Sequence, residues 1–149
     1  MNSIFSVMGI LLNFNICNTY AQESPYHLIE NTAIFTLEVH GLNKIEGELR
    51  IAMFDSKESF IKEPVLTEIM KVDSSTIYWK VENLSHGNYA IAVYHDKNGN
   101  GKLDTSLFGI PKERYGFSNN VRGAFGPASW DESYFTFDVQ NKTHAITIR

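Results

Sequence analysis

The chain has 149 residues, with 13 Lys and Arg against 17 Asp and Glu, for a formal net charge of −4. That length supports one domain with its own core, and the mild acidity is wrong for a nucleic-acid binder, which needs a basic stripe. With 10 Phe and 7 Tyr, the chain is too aromatic to be disordered and fits a packed, β-rich protein.

The first segment has a targeting pattern. Residues 4–12 (IFSVMGILL) are apolar apart from Ser6 and Gly9, and Thr19 and Ala21 precede a small-residue cut ahead of Gln22. No Lys or Arg precedes the run, and Asn13, Asn15 and Asn18 interrupt it before the ~20 apolar residues of a membrane span accumulate. The expectation is a signal peptide over 1–21 cleaved after Ala21, giving a periplasmic or extracellular protein with no transmembrane segment in its mature form. The competing reading is a short hydrophobic N-terminal strand or helix. Cys17 is the only cysteine, and Ile16 before it does not suit a lipoprotein site. Removal of 1–21 leaves no thiol, hence no disulfide, thiolate nucleophile or Cys-based metal site.

Residues 22–31 are polar, contain Pro25, and read as a leader into a β-sandwich domain over 32–149. Strand alternation begins at Thr32: Ala33, Phe35, Leu37 and Val39 share one face, Thr36, Glu38 and His40 the other. A second run sets Leu49, Ile51 and Met53 against Glu48 and Arg50. Residues 55–62 are polar around Phe60, a loop or one helical turn that Pro64 ends. Residues 65–72 fit a strand, although 67–70 are equally compatible with a helix. Alternation returns at 76–81, with Ile77, Trp79 and Val81 inward. Leu84-Ser85-His86-Gly87-Asn88-Tyr89 then has the spacing of a tyrosine corner, in which the ring packs at a sandwich edge and the hydroxyl bonds the upstream backbone. An ordinary turn before an aromatic strand start has the same spacing.

The strand over 89–94 leads into His95-Asp96-Lys97-Asn98-Gly99-Asn100-Gly101-Lys102-Leu103-Asp104. Beyond it, 107–130 is long and irregular, with Pro111, Pro127, Gly109, Gly116, Gly123 and Gly126, and with Phe108, Tyr115, Phe117, Phe125 and Trp130. Such a segment is too aromatic for disorder and is expected to fold over the sheet and bury several rings. Strand patterns at 134–139 and 144–148 complete about seven strands with no long helix, which predicts an antiparallel β-sandwich of immunoglobulin-like or transthyretin-like type.

The chemistry concentrates in the loop. Asp96, Asn98 and Asn100 put side-chain oxygens at alternate positions, and Gly101 falls where a calcium loop turns sharply. Lys102 offers only its backbone carbonyl, and Asp104 occupies the position that binds directly or through water. An EF-hand loop closes with a bidentate Glu, but Leu107 stands there and no helices flank the loop, so this is not an EF-hand. A Ca²⁺ site here needs another acid, for which Glu113 is the candidate, with Asp55 or Asp131 as alternatives. The competing reading is a hairpin tip whose Asn and Asp side chains cap the backbone. His40, His86 and His95 lie too far apart in sequence to define a metal site. Ser118 lacks the Gly-x-Ser-x-Gly context of a nucleophile elbow.

Several segments combine into a more specific pattern: Gly87-Asn88-Tyr89-Ala90, the 95–104 loop, Gly109-Ile110-Pro111-Lys112-Glu113, Tyr115-Gly116-Phe117-Ser118-Asn119-Asn120 and Gly126-Pro127. Together they resemble domain of unknown function 2141, a family of secreted bacterial proteins, over residues 32–149 and most sharply over 87–127. The resemblance implies an exported β-rich domain without an assigned activity, and it joins Glu113 to the same motif as the Asp-Asn-Asn loop.

The expected function is therefore a non-enzymatic, exported module with a binding or structural role in the cell envelope and with Ca²⁺ as the cofactor of its loop. Its partner would be a protein or glycan met through exposed Tyr115, Phe117 and Trp130. The rival is a hydrolase using Asp96, Asp104 and Glu113 as acid–base carboxylates.

Overall fold

The computed structural model describes residues 33–124 and 126–149. The expected signal peptide over 1–21 and leader over 22–31, with Cys17 and Phe125, lie outside the described residues.

Among the described residues eight strands form two sheets: β1 (Ala33–His40), β2 (Glu48–Phe54), β3 (Leu66–Lys71), β4 (Ile77–Leu84), β5 (Gly87–Asp96), β6 (Tyr115–Phe117), β7 (Phe135–Phe137) and β8 (Asn141–Thr147). The smaller sheet runs β4-β1-β8. The larger runs β3-β2-β5-β6, and β7 pairs with the first residues of β5. One four-residue helix, α1 (Trp130–Ser133), precedes β7. Among the described residues no helix is long and apolar enough to cross a membrane.

Period-two alternation drives this arrangement. Phe35, Leu37 and Val39 of β1 and Leu49, Ile51 and Met53 of β2 point between the sheets and are buried. Ile91 and Val93 of β5 and Ile146 of β8 join them. The rings of Phe35 and Phe135 stack 5.4 Å apart, and Phe137 meets Phe35 edge-on at 5.8 Å. The opposite residues of β2 and β5 have a core of their own. Phe54 and Ala90 are covered by Phe60, Phe117 and Ala128, with Trp130 packed alongside. The larger sheet is thus covered on its outer face as well at the Phe54–Ala90 end, by Phe60 and by the aromatic segment after the loop.

The tyrosine corner forms: the Tyr89 hydroxyl donates to the Ser85 carbonyl at 2.9 Å. Three features depart from the sequence reading. The eighth strand, β6, lies inside the segment read as irregular; three residues are too few to show a period. The last strand starts at Asn141 rather than 144. And β8 runs parallel to β1, Ile34 opposite Asn141 through His40 opposite Thr147, in an otherwise antiparallel sandwich. Alternation fixes which face a side chain takes, not the direction of the neighbouring strand.

Candidate functional site: the Asp96 loop and its hairpin

Strand β5 delivers Asp96 at its buried end, and the chain then turns out of the sheet. Gly47 makes room for that exit. Its φ is +69°, and a Cβ there would stand 2.3 Å from the Asp96 carbonyl oxygen and 2.7 Å from the Lys97 Cα. Gly99 (φ +69°) and Gly101 (φ +80°) supply the left-handed backbone that curls the loop.

Asp96 is wholly buried and fully bonded. Its Oδ1 accepts the Asn100 N–H at 3.1 Å, and its Oδ2 accepts the Gly101 N–H at 2.7 Å and Arg50 Nε at 2.8 Å. Arg50 also donates to Glu48 Oε2 at 2.8 Å. Burial opposes ionisation of Asp96, but the Gly101 amide, the Arg50 guanidinium and the Asn100 amide outweigh it and hold the carboxyl below its ordinary range. Arg50 is in turn held charged: partial burial works against it, and Asp96 and Glu48 prevail.

The other loop side chains gather on Asp104. Asn98 Nδ2 donates to Asp104 Oδ2 at 2.8 Å and Asn100 Nδ2 to Oδ1 at 3.0 Å. The amide oxygens face inward to the backbone: Asn98 Oδ1 accepts the Asn100 N–H at 3.1 Å, and Asn100 Oδ1 accepts the Lys102 N–H at 2.8 Å. Glu113 does reach the loop and is buried. Its two oxygens go to amides, Lys97 N–H at 2.8 Å and Asp104 N–H at 3.0 Å, so it fastens both ends of the loop to the returning chain. That return is a hairpin: Lys112 N–H donates to the Asp104 carbonyl at 2.8 Å, and Thr105 bridges Pro111.

Asp96, Asn98, Asn100, Asp104 and Glu113 thus come together in one folded unit. Asp131 pairs instead with Lys57, and Asp55 accepts from Ser59, so the two alternative closing acids are engaged elsewhere. Among the described residues no three His, Cys, Asp or Glu side chains are clustered as a metal site. The histidines have separate partners: His40 contacts Thr76 and Glu38, His86 packs on Phe137, and His95 bonds the Glu46 carbonyl at 2.7 Å.

Ser118, Asn119 and Asn120 form a latch. The buried Ser118 hydroxyl accepts the Ile91 N–H at 2.9 Å and donates to the Ser133 carbonyl at 2.5 Å. Asn119 and Asn120 both take positive φ, and Asn119 Nδ2 donates to the Glu132 and Tyr134 carbonyls, each at 2.9 Å. Asn120 Oδ1 accepts the Thr147 N–H at 2.7 Å.

The expected contact aromatics are corrected by this packing. Phe117 is buried, and Tyr115 and Trp130 are half-buried, with Trp130 edge-on to Phe60 at 5.8 Å. The most exposed large apolar side chains among the described residues are instead Leu107, Phe108 and Ile110, at the hairpin tip. Their signal was Leu-Phe-Gly-Ile between polar flanks. Arg50 was also missed, because its service to Asp96 depends on β2 pairing with β5.

A family model described as "uncharacterized protein conserved in bacteria (DUF2141)" matches residues 37–146. The chain belongs to that family, and its loop, hairpin and latch all fall inside the matched region. Comparison with curated proteins and with solved structures returned no match to either.

Proposed function

We propose that this protein is an exported, non-enzymatic β-sandwich module of the cell envelope whose Asp96–Asp104 loop takes up Ca²⁺. The observation that carries the reading is the meeting of Asn98, Asn100 and Asp104. Two amide groups are already aimed at one carboxylate, next to a turn fixed by Asp96. Rotating each amide exchanges its NH₂ for its oxygen and converts the cluster into an all-oxygen cradle of the kind a hard cation takes. Asp96 and Asp104 supply the charge, the Lys102 carbonyl a neutral ligand, and Glu113 holds Asp104 in place through its N–H.

The rotation has a cost. Both amide oxygens leave backbone N–H groups, and Arg50 already balances Asp96. Those competing bonds favour an affinity at the weak end, ~10⁻⁴–10⁻³ M. Calorimetric titration with CaCl₂ and melting curves with and without it test the reading on wild type and Asp104→Ala. The expected result is heat and thermal stabilisation at millimolar calcium in the wild type alone. Absence of both in the wild type overturns it.

The hydrolase reading has less behind it. A general acid needs a carboxyl raised by apolar walls. Here Asp96 is held low, and Glu113 is committed to two amides. Export rests on the pattern of residues 1–21, and cell fractionation with N-terminal sequencing of the product checks it: the expected product begins at Gln22. A protein or glycan partner fits the same modular role.

A further inference from the structure

We propose that the hairpin tip formed by Leu107, Phe108 and Ile110 docks this protein on an anionic phospholipid surface. This inference stands apart from the calcium reading, because it uses the tip and, of the loop below it, only the Lys102 ammonium, which the calcium reading leaves free.

The tip is unusual within the molecule. Leu107 is fully exposed, Phe108 exposes 90 % of its surface and Ile110 64 %. Elsewhere among the described residues, exposed Ile61 and Ile69 line one groove with Phe54 and Ala92, but no other exposed apolar side chain matches the 90 % or more of Leu107 and Phe108. Single exposed apolar residues need no explanation, whereas a contiguous cluster marks an interaction site. The three side chains lie on one tight turn, and none of them lines either surface cavity at β2–β5 or at β3–β4. What covers them must itself supply an apolar phase.

The turn is built to enter one. Ser106 N–H donates to the Ile110 carbonyl at 2.8 Å, Gly109 N–H to the Ser106 carbonyl at 3.0 Å, and Ile110 N–H to the Ser106 hydroxyl at 3.2 Å. Amides paired within the turn lose no water-bonded partner on moving into the headgroup–acyl boundary. The base is clamped by the Thr105–Pro111 bridge and by Glu113, so the tip is presented already folded.

Charge selects the lipid. Lys102 and Lys112 lie exposed at the hairpin base, and neither joins an ion pair among the described residues. The two acids at the base turn inward: Asp104 accepts from Asn98 and Asn100, and Glu113 is buried. In a chain of net charge −4, residues 97–114 carry four cations (Lys97, Lys102, Lys112 and Arg114) against two anions (Asp104 and Glu113), a local positive surplus beneath an apolar tip. Apolar insertion beneath a lysine collar is how interfacial segments hold on anionic bilayers.

The test uses the full chain and vesicles of phosphatidylethanolamine with phosphatidylglycerol, against pure phosphatidylcholine. Because residues 4–12 are themselves apolar, the decisive readouts are differences that belong to the tip. Leu107→Ser with Phe108→Ser is expected to weaken binding to the anionic vesicles about tenfold or more, with an unchanged melting temperature. Lys102→Glu with Lys112→Glu is expected to weaken it by a similar factor and to remove the preference for anionic lipid. In Phe108→Trp, emission in excess of wild type should shift to the blue on vesicle addition and be quenched by brominated acyl chains. The proposal is overturned if the Leu107/Phe108 double variant binds as the wild type does, or if the added emission stays that of water. It is also overturned if the double variant turns a dimer into a monomer, which would make a second copy the occupant.

Discussion

Arg50 reaches diagonally across the β2–β5 ladder to Asp96, two residues beyond its register partner Tyr94, and donates Nε to the buried carboxylate at 2.8 Å. The first acid of a calcium-like loop therefore meets a protein-borne cation, and the loop holds its shape through that pair.

The pair has a pH signature. The Asp96 carboxyl sits below its unfolded value of about 3.9, so its contribution is fully present above that value and is lost as pH falls through the folded one. Arg50→Met removes one of the groups that hold it low. Acid unfolding of this variant, followed by circular dichroism below about pH 5, is expected at a higher pH than in the wild type. Coincident acid limbs would show that the two loop amides suffice without Arg50.

Glu113 gives a second expectation. Glu113→Ala leaves the Lys97 and Asp104 amides without acceptors and should cost roughly 1–3 kcal/mol in urea unfolding. Glu113→Gln keeps the length and one amide oxygen, and should lose less. A ligand-only role for Glu113 would predict no loss for either variant in the absence of calcium.

His144 gives a third. Burial, with Lys142 adding to it, lowers its pKa; the ring stacks on Phe135 at 4.3 Å, and Nε2 accepts the Asn119 N–H at 3.1 Å. The unfolded chain, titrating near 6.5, takes up a proton that the folded ring resists. Stability should therefore fall as pH drops below about 6.5, through the lower folded value. His144→Gln should flatten that slope between pH 7 and 5 in urea midpoints. An unchanged slope would place the titrating group elsewhere.

The strands at Phe35, Leu49 and Ile77 were legible because one buried face writes a period of two. The corner at Tyr89 was legible because its geometry requires a fixed spacing. The loop was legible as a gathering of Asp96, Asn98, Asn100, Asp104 and Glu113, and Ca²⁺ remains the proposal attached to it. What the spacing did not carry was the rest of each bonding set. Glu113 spends its oxygens on amides and Arg50 arrives from another strand, both consequences of tertiary pairing. Phe117 and Phe108 are equally apolar; only the packing of β6 against β5 separates the ring under the sheet's cover from the ring in solvent.

The parallel pairing of β1 with β8 bears on how the molecule comes to exist. Strand β1 gains β4 on one edge early, but its other edge stays open until residues 141–147 have been made. The closing contacts span nearly the whole described chain, and such distant contacts form late and slowly, because the entropy of closing the intervening loop comes first. Until β8 docks, the edge of β1 away from β4 is an unfinished sheet edge open to wrong partners. Docking of β8 is thus the long-range step that completes the smaller sheet.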